Sequence, residues 1–394
     1  MWPSFVRSED QRICEGTALS KLALVLSGGG ARGAFQAGAL VELLAYFERS
    51  GKRINILSGT SVGALNGMSI AQAESLSAAR MEIEFQWKRL TNEDIYRVRG
   101  WDIIKLIANF ATHRIEQWPS LRGVDSIFDN TPLYNKFIDN YLDLDAIRSR
   151  RTVDDFFVSL TSLHTGAAYL QCLTTEPDLQ KAKEYIMAST ITTVAYPPVK
   201  TVVYDPEVPE HLQDTPQLYA DGGISNKTPL KSILQTGDIG ELYVVNTYPT
   251  YPNKTQDSIN ATFPNVFSML IRTAVELLPN LYFQRDMETV KDVNNDLETW
   301  HALKAKLLEC ARDDATRVRL EELLAEEEKK FSFKQGNKHI INPVIIAPNE
   351  ELPVQDTEFV QPKLGETFEM GRVKARHVLA MHKGVHSVRG VESL

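Results

Sequence analysis

Cysteine is scarce in this chain, with only Cys14, Cys172 and Cys310 among 394 residues. Odd in number and far apart, they suggest neither a disulfide framework nor a zinc site, and a reducing compartment suits them best. Long apolar runs are missing too. The most apolar stretch, Phe263 to Phe283, is interrupted by Arg272, Glu276, Pro279 and Asn280, which makes it too polar to span a bilayer. The first ten residues hold no apolar leader core, so no secretory signal is expected. Positive charge is not in excess. Against 51 acidic residues stand 43 basic ones, a net charge of −8, which speaks against nucleic acid as the main partner. A membrane surface stays open as a partner, since local patches can differ from the whole. No internal repeat and no cluster with metal-ligand spacing is visible, and the charge run from Glu326 to Lys330 reads as a solvated face. The expectation is a soluble cytoplasmic protein.

What is present suits a globular chain. Hydrophobic residues make up 43% and charged ones 24%, and the length allows one large or two ordinary domains with a sizeable core. Lys21 to Ser27 is a short apolar run ending in glycines, as in a buried strand entering a tight loop. Leu40, Leu43, Leu44 and Phe47 then mark a helix face, Ile54 to Ser58 a second strand, and Val62 to Ala73 a second helix. That alternation predicts an α/β fold with a mainly parallel sheet. Residues 75–141 read as mostly helical, with a loop around Trp118 to Thr131. A hairpin is expected from Asp155–Leu163 and Ala167–Thr174, a helix from Leu179 to Ala188, and strands near Val199–Tyr204, Leu218–Ala220 and Glu241–Thr247. Helices are expected over Pro264–Lys330, then a strand over Ile340–Ala347 and a helix over Gly365–His382.

Three short motifs carry chemistry. Gly28-Gly29-Gly30-Ala31-Arg32-Gly33 fits G-x-G-x-x-G between a strand and a helix. A dinucleotide-binding turn would need an acid at the end of the second strand, where Ser58-Gly59-Thr60-Ser61 stands instead. The other use of such a loop is an oxyanion hole, in which successive backbone N–H groups face one small volume. Gly59-Thr60-Ser61-Val62-Gly63 is a G-x-S-x-G turn from strand to helix, the setting of a nucleophilic serine. Asp221-Gly222-Gly223 ends an apolar stretch. It reads as a turn, or as a carboxylate placed to accept the Ser61 proton.

These three motifs, in this order and spacing, resemble the patatin-like phospholipase family. Weaker echoes lie at Val158–Gly166, at Met187–Thr190 with Tyr196–Val199, and at Phe368–Leu379. The resemblance implies a three-layer α/β/α fold with a mainly parallel central sheet and extra helices in the C-terminal part. It implies a Ser–Asp dyad: Ser61 as nucleophile, Asp221 as general base, Gly28, Gly29 and Gly30 as oxyanion hole. Arg32 and Gly33 would support the loop, and Gly59, Gly63, Gly222 and Gly223 would shape the two turns. No cofactor and no metal is called for. The implied substrates are acyl esters of phospholipids or lysophospholipids, with peripheral contact at the inner face of a membrane as a further expectation. The alternatives are a soluble general carboxylesterase and a non-catalytic binding protein on the same fold. Oligomeric state is not legible.

The chain departs from the family at Ser189-Thr190-Ile191-Thr192-Thr193-Val194-Ala195-Tyr196, where an alanine-rich block is usual. This bears on the acyl pocket, and Ser189 reads as structural. A histidine completing a triad would follow the acid in the chain, which leaves His301 onward, with His339 the best placed. The expected domains are an N-terminal extension over 1–19, a catalytic α/β domain over 20–250, a mainly helical insertion or lid over 251–339, and a returning strand and helix over 340–394. Trp101 to Phe110 and Phe263 to Phe283 could line an acyl channel or touch a bilayer, although ordinary core-facing helices are the simpler reading.

Overall fold

The computed structural model describes residues 21–98, 128–191, 196–204, 214–225, 227–234, 239–250, 278–330 and 341–389. Its centre is an eight-stranded mixed sheet. Among the described residues the strands are β1 (Lys21–Leu26), β2 (Ile54–Gly59), β3 (Arg97–Val98), β4 (Phe128–Asp129), β5 (Val153–Ser162), β6 (Ala168–Cys172), β7 (Val199–Thr201), β8 (Gln217–Asp221), β9 (Ile239–Val245) and β10 (Val344–Ile346). In the main sheet β10, β9, β1, β2 and β5 are successive neighbours, β5 also pairs with β6 and with β8, and β8 pairs with β7. The half from β10 to β5 is parallel, whereas β6, β7 and β8 join antiparallel. The longer helices are α1 (Gly33–Arg49), α2 (Val62–Ala71), α3 (Leu76–Trp87), α4 (Leu179–Thr190), α5 (Leu278–Glu309), α6 (Asp314–Lys330) and α7 (Lys363–Arg389).

The near-continuous apolar run of β1 reflects burial on both faces, which parallel strands require. Leu22, Leu24 and Leu26 of β1, with Tyr243 and Val245 of β9, join the core that holds α1 to α4 and α7. Ala23 and Val25, with Leu242 and Val244, point the other way, into a smaller core shared with the helix Leu230–Leu234 and Phe283 of α5. Helices therefore cover both faces, giving three layers. The last helix lies along the first: Leu364, Phe368, Ala375 and Leu379 are buried at helical spacing. Glu42 of α1 accepts hydrogen bonds from Arg372 at 3.0 Å and Arg376 at 2.7 Å.

One part of the chain differs from the sequence reading. After α3, the region read as helical contains a short helix, Asn92–Ile95, and the small antiparallel pair β3–β4. Two-residue strands are too short to show a period. The run from Trp101 to Phe110, the N-terminal extension and the part of the second apolar stretch over residues 263–277 lie outside the described residues. Where that stretch enters α5, Phe283 is buried while Leu281 and Tyr282 are exposed. Among the described residues no helix is long and apolar enough to cross a membrane.

Candidate active site

β5 explains how two distant motifs meet. β2 runs parallel to β5 as far as Gly59, opposite Val158. β8 runs antiparallel to β5 and ends with Asp221 opposite Leu160. Because β6 pairs with Phe157 to Thr161, overlapping both registers, it takes the other edge. β2 and β8 are left on one edge of β5, with their C-terminal ends facing. Two residues of strand separate the pairing positions, a rise of roughly 7 Å. The turn after Gly59 and the carboxylate of Asp221 are thereby brought together.

At that turn Ser61 has φ 56° and ψ −125°, a backbone conformation disfavoured for a residue with a side chain. Its N–H donates to Ser189 Oγ on α4 at 3.0 Å, and its carbonyl accepts from Ala64 at 2.8 Å as α2 begins. Gly59 and Gly63 allow the tight crossing: a Cβ on either would come within 2.4 Å of a backbone oxygen. Asp221 is buried, its N–H held by the Ile191 carbonyl at 2.8 Å and its Oδ1 accepting the Gly223 N–H at 2.7 Å. Gly222 passes so close to β5 that a side chain there would strike Ser159. Burial pushes the Asp221 carboxyl up to about 6. Hydrogen bonds from the Ser61 side chain and the Gly223 amide, with the charge of Lys227, pull it down, and the charge of Asp356 raises it.

The glycine loop lies against this pair. Gly28 approaches until a Cβ on it would stand 3.1 Å from Ser61 Cβ. Its amide donates to Lys227 O at 3.3 Å, and the Arg32 amide to Gly29 O at 3.0 Å. The amides of Gly29 and Gly30 have no hydrogen bond among the described residues. Gly33 opens α1. Beneath the loop lies a buried polar ladder. Gln36 Nε2 donates to the carbonyls of Ser27 (3.0 Å) and Val245 (3.2 Å). Asn66 donates to Gln36 at 2.9 Å, and Trp87 Nε1 to Asn66 at 2.9 Å. Thr247 bonds Ser27 and the Gly28 carbonyl. Satisfied networks of this kind make a loop rigid.

Arg32 is buried beside the loop. Its Nε lies 3.3 Å from both Val354 O and Asp356 Oδ1, and its guanidinium sits 4.4 Å from the centre of the Tyr248 ring. Lys227 Nζ lies 3.8 Å from the same ring centre, and Tyr248 donates its hydroxyl proton to Asp356 at 2.5 Å. The roles of Ser189, Gln36, Asn66, Thr247, Lys227, Tyr248 and Asp356 were not legible from spacing. Only the Met187–Thr190 block pointed near one of them.

Among the described residues no hydrogen bond of Ser61 or Asp221 goes to a histidine. His301 and His377 are exposed on α5 and α7, His164 is exposed on the β5–β6 hairpin, and His382 packs edge-on against Tyr243. His339 lies outside the described residues. Among the described residues no group of His, Cys, Asp and Glu could hold a metal ion. A hydroxyl beside a carboxylate that ionises near neutral pH can surrender its proton to it, and unbonded amides nearby can receive developing negative charge.

No curated protein matches this chain. Among solved structures, VipD from Legionella pneumophila aligns at 13% identity and a TM-score of 0.39, over 92% of this chain and 67% of VipD. The heterodimeric ExoU–SpcU complex of the Pseudomonas aeruginosa type III secretion system aligns at 14% and 0.25, over 79% of this chain and 59% of the other. At these identities and scores neither likeness bears on activity. The model of the family described as patatin-like phospholipase matches residues 24–234, a span that takes in the glycine loop, the Ser61 turn and Asp221. With more than half its length matched, the chain belongs to the patatin-like phospholipase family.

Proposed function

We propose that this protein is a serine acyl hydrolase that cleaves acyl esters of phospholipids or lysophospholipids with a Ser61–Asp221 dyad. Asp221 takes the Ser61 proton as Oγ bonds to the ester carbonyl carbon. The carbonyl oxygen becomes an oxyanion held by the Gly29 and Gly30 amides of the loop, the Gly28 amide being committed to the Lys227 carbonyl. Collapse of that intermediate expels the alcohol, which carries away the proton held by Asp221, and leaves an acyl group on Ser61. Water then gives its proton to Asp221, attacks the acyl carbon and frees the fatty acid, returning the proton to Ser61.

The observation that carries this reading is the placement of the Ser61 side chain against the buried Asp221 carboxylate, beside a loop whose Gly29 and Gly30 amides have no hydrogen bond among the described residues. Burial supports the base role, since a carboxylate titrating near 6 is a stronger base than an exposed one yet is ionised at neutral pH. In this reading residues 20–250 form the catalytic unit, completed by the returning strand and helix of 340–394. The protein works in the cytoplasm and meets its substrate peripherally at the inner face of a membrane.

The test is hydrolysis of phosphatidylcholine vesicles and of a soluble p-nitrophenyl ester, with Ser61→Ala as the control. Turnover of both, lost in the variant, is expected. Turnover of the soluble ester alone would leave a general carboxylesterase. Silence on both substrates would leave a binding protein.

A further inference from the structure

The family-matched span stops at residue 234, yet the glycine loop is held by residues beyond it. Asp356 binds the loop twice. Its backbone carbonyl accepts the Ala31 amide at 2.8 Å, and its carboxylate lies 3.3 Å from Arg32 Nε. The contact is close: Gly30 has φ +51°, and a Cβ there would lie 2.0 Å from Asp356 O. Tyr248 also holds Asp356 through its hydroxyl, and the cations of Arg32 and Lys227 both lie over its ring. Lys227 in turn ties the loop to the Asp221 turn, because its carbonyl accepts the Gly28 amide.

The same segment is anchored along its length. Tyr96 donates to Thr357 O at 2.9 Å, the Phe359 amide donates to Asn92 at 2.8 Å, and Gln361 donates to Trp87 O at 3.1 Å. Val354 and Phe359 are buried in the main core. The segment therefore reaches the loop as a fixed strut rather than a loose tail. With the Ala31 amide committed to Asp356, the neighbouring Gly29 and Gly30 amides stay unbonded among the described residues.

We propose that Asp356 and Tyr248 are positioning residues for acyl transfer: they hold the Gly28–Arg32 loop so that its free amides face the oxyanion. The proposal rests on the acyl-hydrolase reading above. It makes the chain beyond residue 234 part of the active site, although neither residue touches the reacting atoms.

The experiment uses the full-length chain and two readouts. One is kcat and KM on a p-nitrophenyl ester. The other is the rate at which a neutral fluorophosphonate phosphonylates Ser61. In that step the Oγ–P bond forms as the P–F bond breaks, fluoride leaves, and the P=O oxygen occupies the place of the oxyanion. For Asp356→Ala, kcat and the labelling rate are expected to fall about 10- to 100-fold, with KM within roughly threefold of native. Asp356→Asn keeps one acceptor oxygen, which can serve Tyr248 or Arg32 but not both, and should recover part of the loss. Tyr248→Phe removes one hydroxyl while leaving the stacked ring, so it serves where Asp356→Ala does not fold, and a smaller loss of the same kind is expected. Native kcat and labelling in folded Asp356 and Tyr248 variants would overturn the proposal alone, as would a raised KM with unchanged kcat. A native chain that neither hydrolyses esters nor takes the probe would overturn the acyl-hydrolase reading and this proposal with it.

Discussion

Gly59 and Asp221 end two strands that approach each other along one edge of β5, paired with Val158 and Leu160 respectively. One strand is parallel to β5 and the other antiparallel, so both deliver their C-terminal ends to the same point. That is how motifs 160 positions apart in sequence bring the Ser61 side chain up to the Asp221 carboxylate.

The first prediction concerns pH. If Asp221 must be ionised to accept a proton, kcat/KM should rise as pH passes upward through about 6 and level off above it. Stability should run the other way. The folded carboxyl titrates at about 6, above the unfolded value of about 3.9. Between those values the native state keeps a proton that the unfolded chain has released. The stability contributed by that proton is full below pH ~4 and is lost as pH rises through about 6. Asp221→Asn should therefore abolish turnover yet stabilise the fold at pH 8 by on the order of 1–3 kcal/mol, with lost attraction to Lys227 offsetting part. The gain should vanish at pH 4. Urea melts at the two pH values check it, and a variant less stable at pH 8 contradicts it.

A second prediction follows from Ser189, which accepts the Ser61 amide at the strained turn. Ser189→Ala leaves that buried N–H without an acceptor and should cost about 1–3 kcal/mol. It also loosens the one contact that fixes the Ser61 amide from α4, so fluorophosphonate labelling of Ser61 should slow roughly tenfold. A lower melting temperature with an unchanged labelling rate would confine Ser189 to a structural role.

The third prediction separates dyad from triad. His301, His339, His377, His382 and His386 follow Asp221 in the chain. Replacing each singly with Ala should leave kcat within about twofold of native, since the dyad gives no histidine a part in the proton transfer. His382 is the exception for stability, because it packs against Tyr243. Loss of turnover in a variant that melts like the native protein would identify a histidine base and remove Asp221 from that role.

The parallel half of the sheet was readable in the chain because its cause is local. A strand buried on both faces must be apolar throughout, as Lys21–Leu26 nearly is, and an amphipathic helix must repeat its apolar residues along one face, as α1 does. The glycine loop, the Ser61 turn and Asp221 were readable because turns of that shape demand small residues at set positions. The antiparallel arrival of β8 was not, since pairing direction depends on how the chain returns to β5 rather than on any property of Gln217–Asp221. Tyr248 and Asp356 were silent: a hydroxyl or a carboxylate in a loop looks the same in sequence whether it faces water or another turn of the chain. By itself the sequence determined which residues could do the chemistry. Only the tertiary structure decided which side chains hold them in place, because hydrogen bonds between segments hundreds of residues apart leave no periodicity to read.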